Sequence, residues 1–145
     1  MVTPEIQWIA ILPELILALG AAAVLLVEVQ WRPRSSVPAL VVATTVFLSF
    51  GFTLIQWAQA EDALSFGAFD DLVAFSGMVV MDGFAVFSRL ALLLMMTLGL
   101  LAGWRFIESL GRRGAEGLAL ILLATAGFSI MVASNNLVMM FLGLE

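Results

Sequence analysis

Apolar residues fall in four long blocks separated by short polar interruptions. They cover about residues 12–30, 37–57, 84–104 and 117–133. Each block is close to the roughly 17–25 residues that carry an α-helix across a hydrocarbon core. A fifth apolar run starts at about residue 136, directly after Ser134-Asn135-Asn136. Strands are disfavoured in these blocks, because an open sheet edge leaves backbone polar groups unpaired in lipid. The pattern therefore predicts an all-α, polytopic transmembrane helix bundle, in one membrane domain over residues 1–145, with four complete helices and the start of a fifth. Between the second and third helices, FSGMVVMDGF (residues 75–84) reads as extended and suited to a hairpin.

The punctuation agrees with these blocks. Pro13 and Pro38 fall in first helical turns, where a missing N–H costs little. Asp82 precedes Gly83 and the third block and suits an N-cap. Trp31, Trp57 and Trp104 sit at block ends, as an aromatic belt requires. Gly99 and Gly103 form a GxxxG pattern, and Ala18 to Ala23 is rich in small residues; both predict close helix packing.

Composition strengthens the membrane reading. The chain is 63% hydrophobic and 12% charged, against about 25% charged in a typical soluble domain. It contains no His, Cys, Tyr or Lys. Thiolate chemistry, disulfides and zinc, haem or iron-sulfur ligation in this chain are thereby excluded. A net charge of −5 argues against nucleic acid as a partner. The N-terminal MVTPEIQW carries no basic residue, against a cleaved signal peptide. Arg32 and Arg34 fall in one loop, and Arg105, Arg112 and Arg113 in another on the same side. The 58–82 loop has five acids and no arginine. The positive-inside rule then places the N-terminus outside.

Charges within the blocks are the candidate chemistry. Glu14, in the first turn of helix 1, reads as a cap facing the helix dipole, with a transport role as the alternative. Glu28 with Arg32 and Glu108 with Arg112 have the i,i+4 spacing of interfacial ion pairs. Arg89 lies five residues inside helix 3. It reads as snorkelling to the outer interface, with Asp82 two turns back on the same face; contact with a polar channel or partner subunit is the alternative. Glu145 lies nine residues past Asn136, roughly 13 Å deep in a core about 30 Å thick. Intramembrane carboxylates mark proton and ion paths. Glu145 is therefore the candidate catalytic residue, a proton-channel carboxylate; the alternative is an acid solvated at the end of a truncated segment.

LPE at residues 12–14, VVMDGFAVF at 79–87 and ATAGFSIMVASNNLVMMFLGLE at 124–145 carry a family resemblance over essentially the whole chain. The chain resembles the N-terminal part of the antiporter-like, proton-translocating membrane subunits of bacterial NADH-quinone oxidoreductase (respiratory complex I). Among the three such subunits it is most similar to N. The resemblance implies a longer fold of about fourteen helices. In that fold the helix 5 glutamate, here Glu145, pairs with a lysine on a later helix. The chain thus reads as a fragment that stops where the proton machinery begins.

The resemblance further implies no cofactor in this chain. NADH, FMN, iron-sulfur clusters and quinone would be bound by the complex. The expected partners are antiporter-like subunit M, small membrane subunits and the lipid bilayer. The alternatives are a subunit of a multisubunit cation/proton antiporter or membrane-bound hydrogenase, and a non-transporting membrane scaffold.

Overall fold

The structure, a computed structural model, describes residues 8–31, 36–62, 72–74, 78–111 and 113–145. A short 3-10 turn at Trp8–Ile11 leads into α1 (Leu12–Trp31). Then follow α2 (Ser36–Asp62), a hairpin of β1 (Leu72–Ala74) and β2 (Val79–Met81), α3 (Gly83–Ser109), α4 (Arg113–Ala133) and α5 (Leu137–Leu144). Helices α1 to α4 are each long and apolar enough to cross a membrane. The chain is an all-α transmembrane bundle, with the hairpin as a small appendage at one end.

Helices α1 to α4 close a ring: α1 packs on α2 and α4, and α3 packs on α2 and α4. The shared core comes from one stripe on each helix. Leu17, Ala21 and Val24 of α1 meet Val42 of α2, Leu93, Met96 and Leu100 of α3, and Leu118, Ala119, Leu122 and Ala126 of α4. The buried positions of α3 (Val86, Arg89, Leu93, Met96, Leu100) alternate by three and four, which keeps one face on its neighbours. The outward faces carry the larger hydrophobics, such as Phe47, Met95 and Leu101, as lipid contact requires.

Small residues set the closest approaches. Gly20 of α1 lies directly against Thr45 of α2, so even a Cβ there would overlap its side chain. Gly127 of α4 and Gly143 of α5 cross backbone to backbone. The small-residue zone of helix 1 is thus a packing surface. The GxxxG pair is not one within the chain: a Cβ at Gly99 or Gly103 meets nothing within 4 Å. That correction follows from the ring, because Gly99 and Gly103 lie off the stripe of α3 that faces α2 and α4.

One end of the bundle gathers the 3-10 turn, the hairpin and the α4–α5 joint. Asp82 caps α3, its carboxylate accepting from the Ala85 N–H at 2.7 Å. The hairpin pairs Leu72 with Met81, Val73 with Val80 and Ala74 with Val79. Val79 also bridges to Ser134, and the Asn135 N–H donates to the Met78 carbonyl at 2.9 Å. The hairpin therefore ties the α2–α3 connection to the α4–α5 joint, where Ala10, Val79, Ala85 and Ala133 form a second small core. At the opposite end Gly111 takes φ +56, which reverses the chain between α3 and α4.

Candidate functional site

At the hairpin end, the second turn of α3 points Arg89 into the bundle. Its Nε lies 2.7 Å from Glu14 Oε1 on α1. Its Nη2 donates to the Ala10 carbonyl at 3.1 Å, and its Nη1 donates to Gln56 Oε1 of α2 at 3.4 Å. Arg89 is 1% exposed and Glu14 3%. The guanidinium fork thus spans three elements, which only arginine among the side chains can do in one plane.

The local sequence accounts for each partner. Pro13 has no N–H, so it cannot close a 3-10 turn onto Ala10. Arg89 supplies a donor to that carbonyl instead. Glu14 follows Pro13 on the same turn and lies on the buried stripe of α1, one turn before Leu17. Gln56 ends a row on α2 with Thr45, Ser49 and Thr53, all buried. The Ser49 hydroxyl donates to the Pro13 carbonyl at 3.3 Å, and the Thr53 hydroxyl donates back to the Ser49 carbonyl at 2.8 Å. Ser49 on Pro13, with Thr45 against Gly20, shows α2 running antiparallel to α1, its C-terminal half beside the start of α1.

Two expectations are corrected here. Glu14 is not an interfacial cap, and Arg89 does not snorkel outward to water or to Asp82. Each charge finds a closer partner in the interior. Pairing two charges in a dry setting removes the need for either to reach the interface, whereas separating them costs about 3–5 kcal/mol. The row of hydroxyls and amide on α2 was not among the sequence candidates. Its signal was present as polar residues at 45, 49, 53 and 56, spaced for one helix face.

Glu145 sits elsewhere. It caps the C-terminal end of α5, its backbone N–H donating to the Phe141 carbonyl at 3.3 Å. Its side chain is exposed, as are most side chains of α5, which rests on α4 through Gly143. The structure therefore does not bring Glu145 together with Glu14 and Arg89. Arg32 and Arg112 lie outside the described residues, and with them the two i,i+4 pairs. Glu108 accepts a hydrogen bond from Trp104 Nε1 at 2.8 Å. Among the described residues no group of acids, His or Cys could hold a metal ion.

Comparison with known proteins gives a consistent family signal. The chain is 32% identical over 139 residues to NADH-quinone oxidoreductase subunit N of Parvibaculum lavamentivorans, covering 96% of this chain and 27% of that protein. It is 31% identical to subunit N of Erythrobacter litoralis over 93% of this chain and 27% of that protein. It is 30% identical to NAD(P)H-quinone oxidoreductase subunit 2 of Prochlorococcus marinus (strain CCMP1986), over 94% of this chain and 25% of that protein. No family model matches, and no solved structure does. The chain thus resembles complex I subunit N over nearly all its length, while spanning about a quarter of the length of these curated relatives.

Proposed function

We propose that this chain is the N-terminal part of a membrane subunit of a proton-translocating NADH-quinone oxidoreductase. The observation that carries the reading is the resemblance to subunit N across nearly the whole chain, joined to a bundle of four membrane-spanning helices. With no Cys or His, this chain itself supplies no thiolate or imidazole redox ligand. In this reading NADH, flavin, iron-sulfur clusters and quinone are bound by other subunits, with subunit M and the small membrane subunits as neighbours. The chain's part is to couple redox free energy to proton movement in the bacterial inner membrane. Moving one charge against 100 mV requires about 2.3 kcal/mol.

Glu145 is the carboxylate of the proton path in this reading. It stands at the end of α5, with room for further helices around it. A basic partner on a later helix would stabilise its charge when the pair is loaded. The distribution of arginines supports an orientation with the N-terminus and the hairpin end outside. The test is Glu145→Gln in the full-length subunit. Proton uptake by inverted vesicles should fall while the complex assembles at wild-type levels. Pumping at the wild-type rate would remove Glu145 from the path.

A further inference from the structure

Helices α2 and α3 are tied together at the hairpin end by Gln56 and Arg89. Over the other half of the bundle a groove of about 390 Å³ lies between them. Its walls run from Ala39 to Phe50 on α2 and from Leu94 to Trp104 on α3. At 1.5 Å per residue the α2 wall is about 16 Å long, close to half of a hydrocarbon core about 30 Å thick. Val42 and Leu100 are buried at its floor, whereas Phe47 and Leu101 on its rims are 79% and 70% exposed. The groove therefore opens to the outside of the bundle. Its two polar side chains are already engaged: the Thr97 hydroxyl donates to the Leu93 carbonyl at 2.7 Å, and Trp104 Nε1 donates to Glu108 at 2.8 Å. What the groove offers an occupant is apolar surface.

The end of the groove at Ala39 and Trp104 is the basic end of the bundle. Five of the six arginines fall there in the sequence: Arg32 and Arg34 before α2, Arg105 beside Trp104, and Arg112 and Arg113 at the α3–α4 turn. They stand against three acids, Glu28, Glu108 and Glu116. Arg105 is exposed and has no ion-pair partner among the described residues. It lies one helical turn past Leu101 on the same side of α3.

We propose that the α2–α3 groove binds one anionic phospholipid of the arginine-side leaflet, with an acyl chain along the groove and the phosphate on Arg105 at its mouth. The length of the groove matches a single leaflet. A docked transmembrane helix needs a face that continues over the whole span, and α2 and α3 close together beyond Phe50 and Leu94. The charge at the mouth favours an anionic headgroup over a zwitterionic one, because arginine forms short, paired hydrogen bonds to phosphate. The neighbouring arginines add attraction that fades within a Debye length. Trp104 stands where tryptophans meet headgroups. This inference rests on the membrane-spanning bundle and does not depend on the role of Glu145.

The experiment is photolabelling of the full-length subunit in its complex, held in phosphatidylcholine nanodiscs. A trace of phosphatidylglycerol or of phosphatidylcholine carries a diazirine on its acyl chain, and labelled peptides are mapped by mass spectrometry. At low salt the groove walls should take about fivefold more label from phosphatidylglycerol, the factor that one basic residue beside an anionic headgroup contributes. Arg105→Gln should remove most of that excess and leave phosphatidylcholine labelling unchanged. Ala43→Phe places a ring in the groove and should lower labelling by both lipids. Should it fail to assemble, Arg105→Gln still decides, because that side chain is exposed. Equal labelling by the two lipids would overturn the proposal, since it means contact with bulk lipid only. So would an excess that Arg105→Gln leaves intact, or walls that neither lipid labels, which means that another helix covers them.

Discussion

Glu14→Leu and Arg89→Met, made singly and together, test whether the buried pair holds the bundle closed. Glu14→Leu leaves a cation 1% exposed, with only the Ala10 carbonyl and Gln56 to receive it. Arg89→Met leaves a buried carboxylate and takes the Ala10 carbonyl's donor away. Removing one member of a buried pair costs about 3–5 kcal/mol in each case. The double variant carries no unpaired charge. It loses only the two neutral acceptors' bonds to Arg89, about 1–3 kcal/mol each, a loss that Arg89→Met shares and that therefore cancels in the cycle. The coupling energy is then set by the unpaired charges, about 3 kcal/mol or more, well above the roughly 0.5 kcal/mol scatter of independent sites. Lipid-embedded hydrogen bonds between neutral groups average only about 0.6 kcal/mol, so a coupling of this size is specific to the charges. The assay is SDS-driven unfolding of the full-length subunit in mixed micelles, followed by circular dichroism. Strict additivity of the two single effects would show that Glu14 and Arg89 do not meet.

Four further outcomes are expected. Arg89→Lys keeps the charge but cannot span Glu14, Ala10 and Gln56 together, so it should destabilise by about 1–3 kcal/mol in the same unfolding assay. Gly20→Ala forces a methyl group into Thr45 and should cost about 1–3 kcal/mol, partly restored by Thr45→Ala; an unchanged midpoint would mean that α1 and α2 are farther apart. Asp82→Ala should cost about 0.5–2 kcal/mol through loss of the α3 cap, whereas Asp82→Ser should recover most of it. Gly99→Ala should leave the unfolding midpoint of the isolated subunit unchanged or slightly higher, since the position is open and alanine is the better helix former.

The four apolar helices could be read from the sequence because lipid imposes a length and a composition on every helix that crosses it. The second strand of the hairpin could be read from the extended residues before Asp82, whereas the first, Leu72–Ala74, lies ahead of that stretch; the α3 cap could be read from Asp82-Gly83. The Glu14–Arg89 pair could not be read by depth alone. Both residues lie within two turns of a helix start, and depth counted along one helix makes the nearby interface look like the natural destination. The deciding quantity was rotational: each residue stands on the stripe that faces its neighbours. Hydrophobic periodicity hides that stripe in a membrane protein, because the outward face is as apolar as the core. Polar periodicity reveals it. Glu14 is in step with Leu17, Ala21 and Val24, Arg89 with Leu93 and Met96, and Gln56 with Ser49 and Thr53.

The same reasoning explains why this interior is held together by polar and small groups at all. Helices in lipid gain no hydrophobic free energy by meeting, so association rests on close approach and on hydrogen bonds. Here the close approach comes from Gly20 against Thr45 and Gly127 against Gly143. The hydrogen bonds come from Ser49 to Pro13 and from Arg89 to Ala10 and Gln56. Every one of these contacts joins two elements, and two of the five converge on the 3-10 turn and the first turn of α1. That region carries Pro13 and would be the weakest part of the helix on its own. The ion pair is thus placed where backbone bonding is poorest. It also orients α3, which carries the hairpin at its entrance, and the hairpin in turn fixes the joint from which α5 and Glu145 depart.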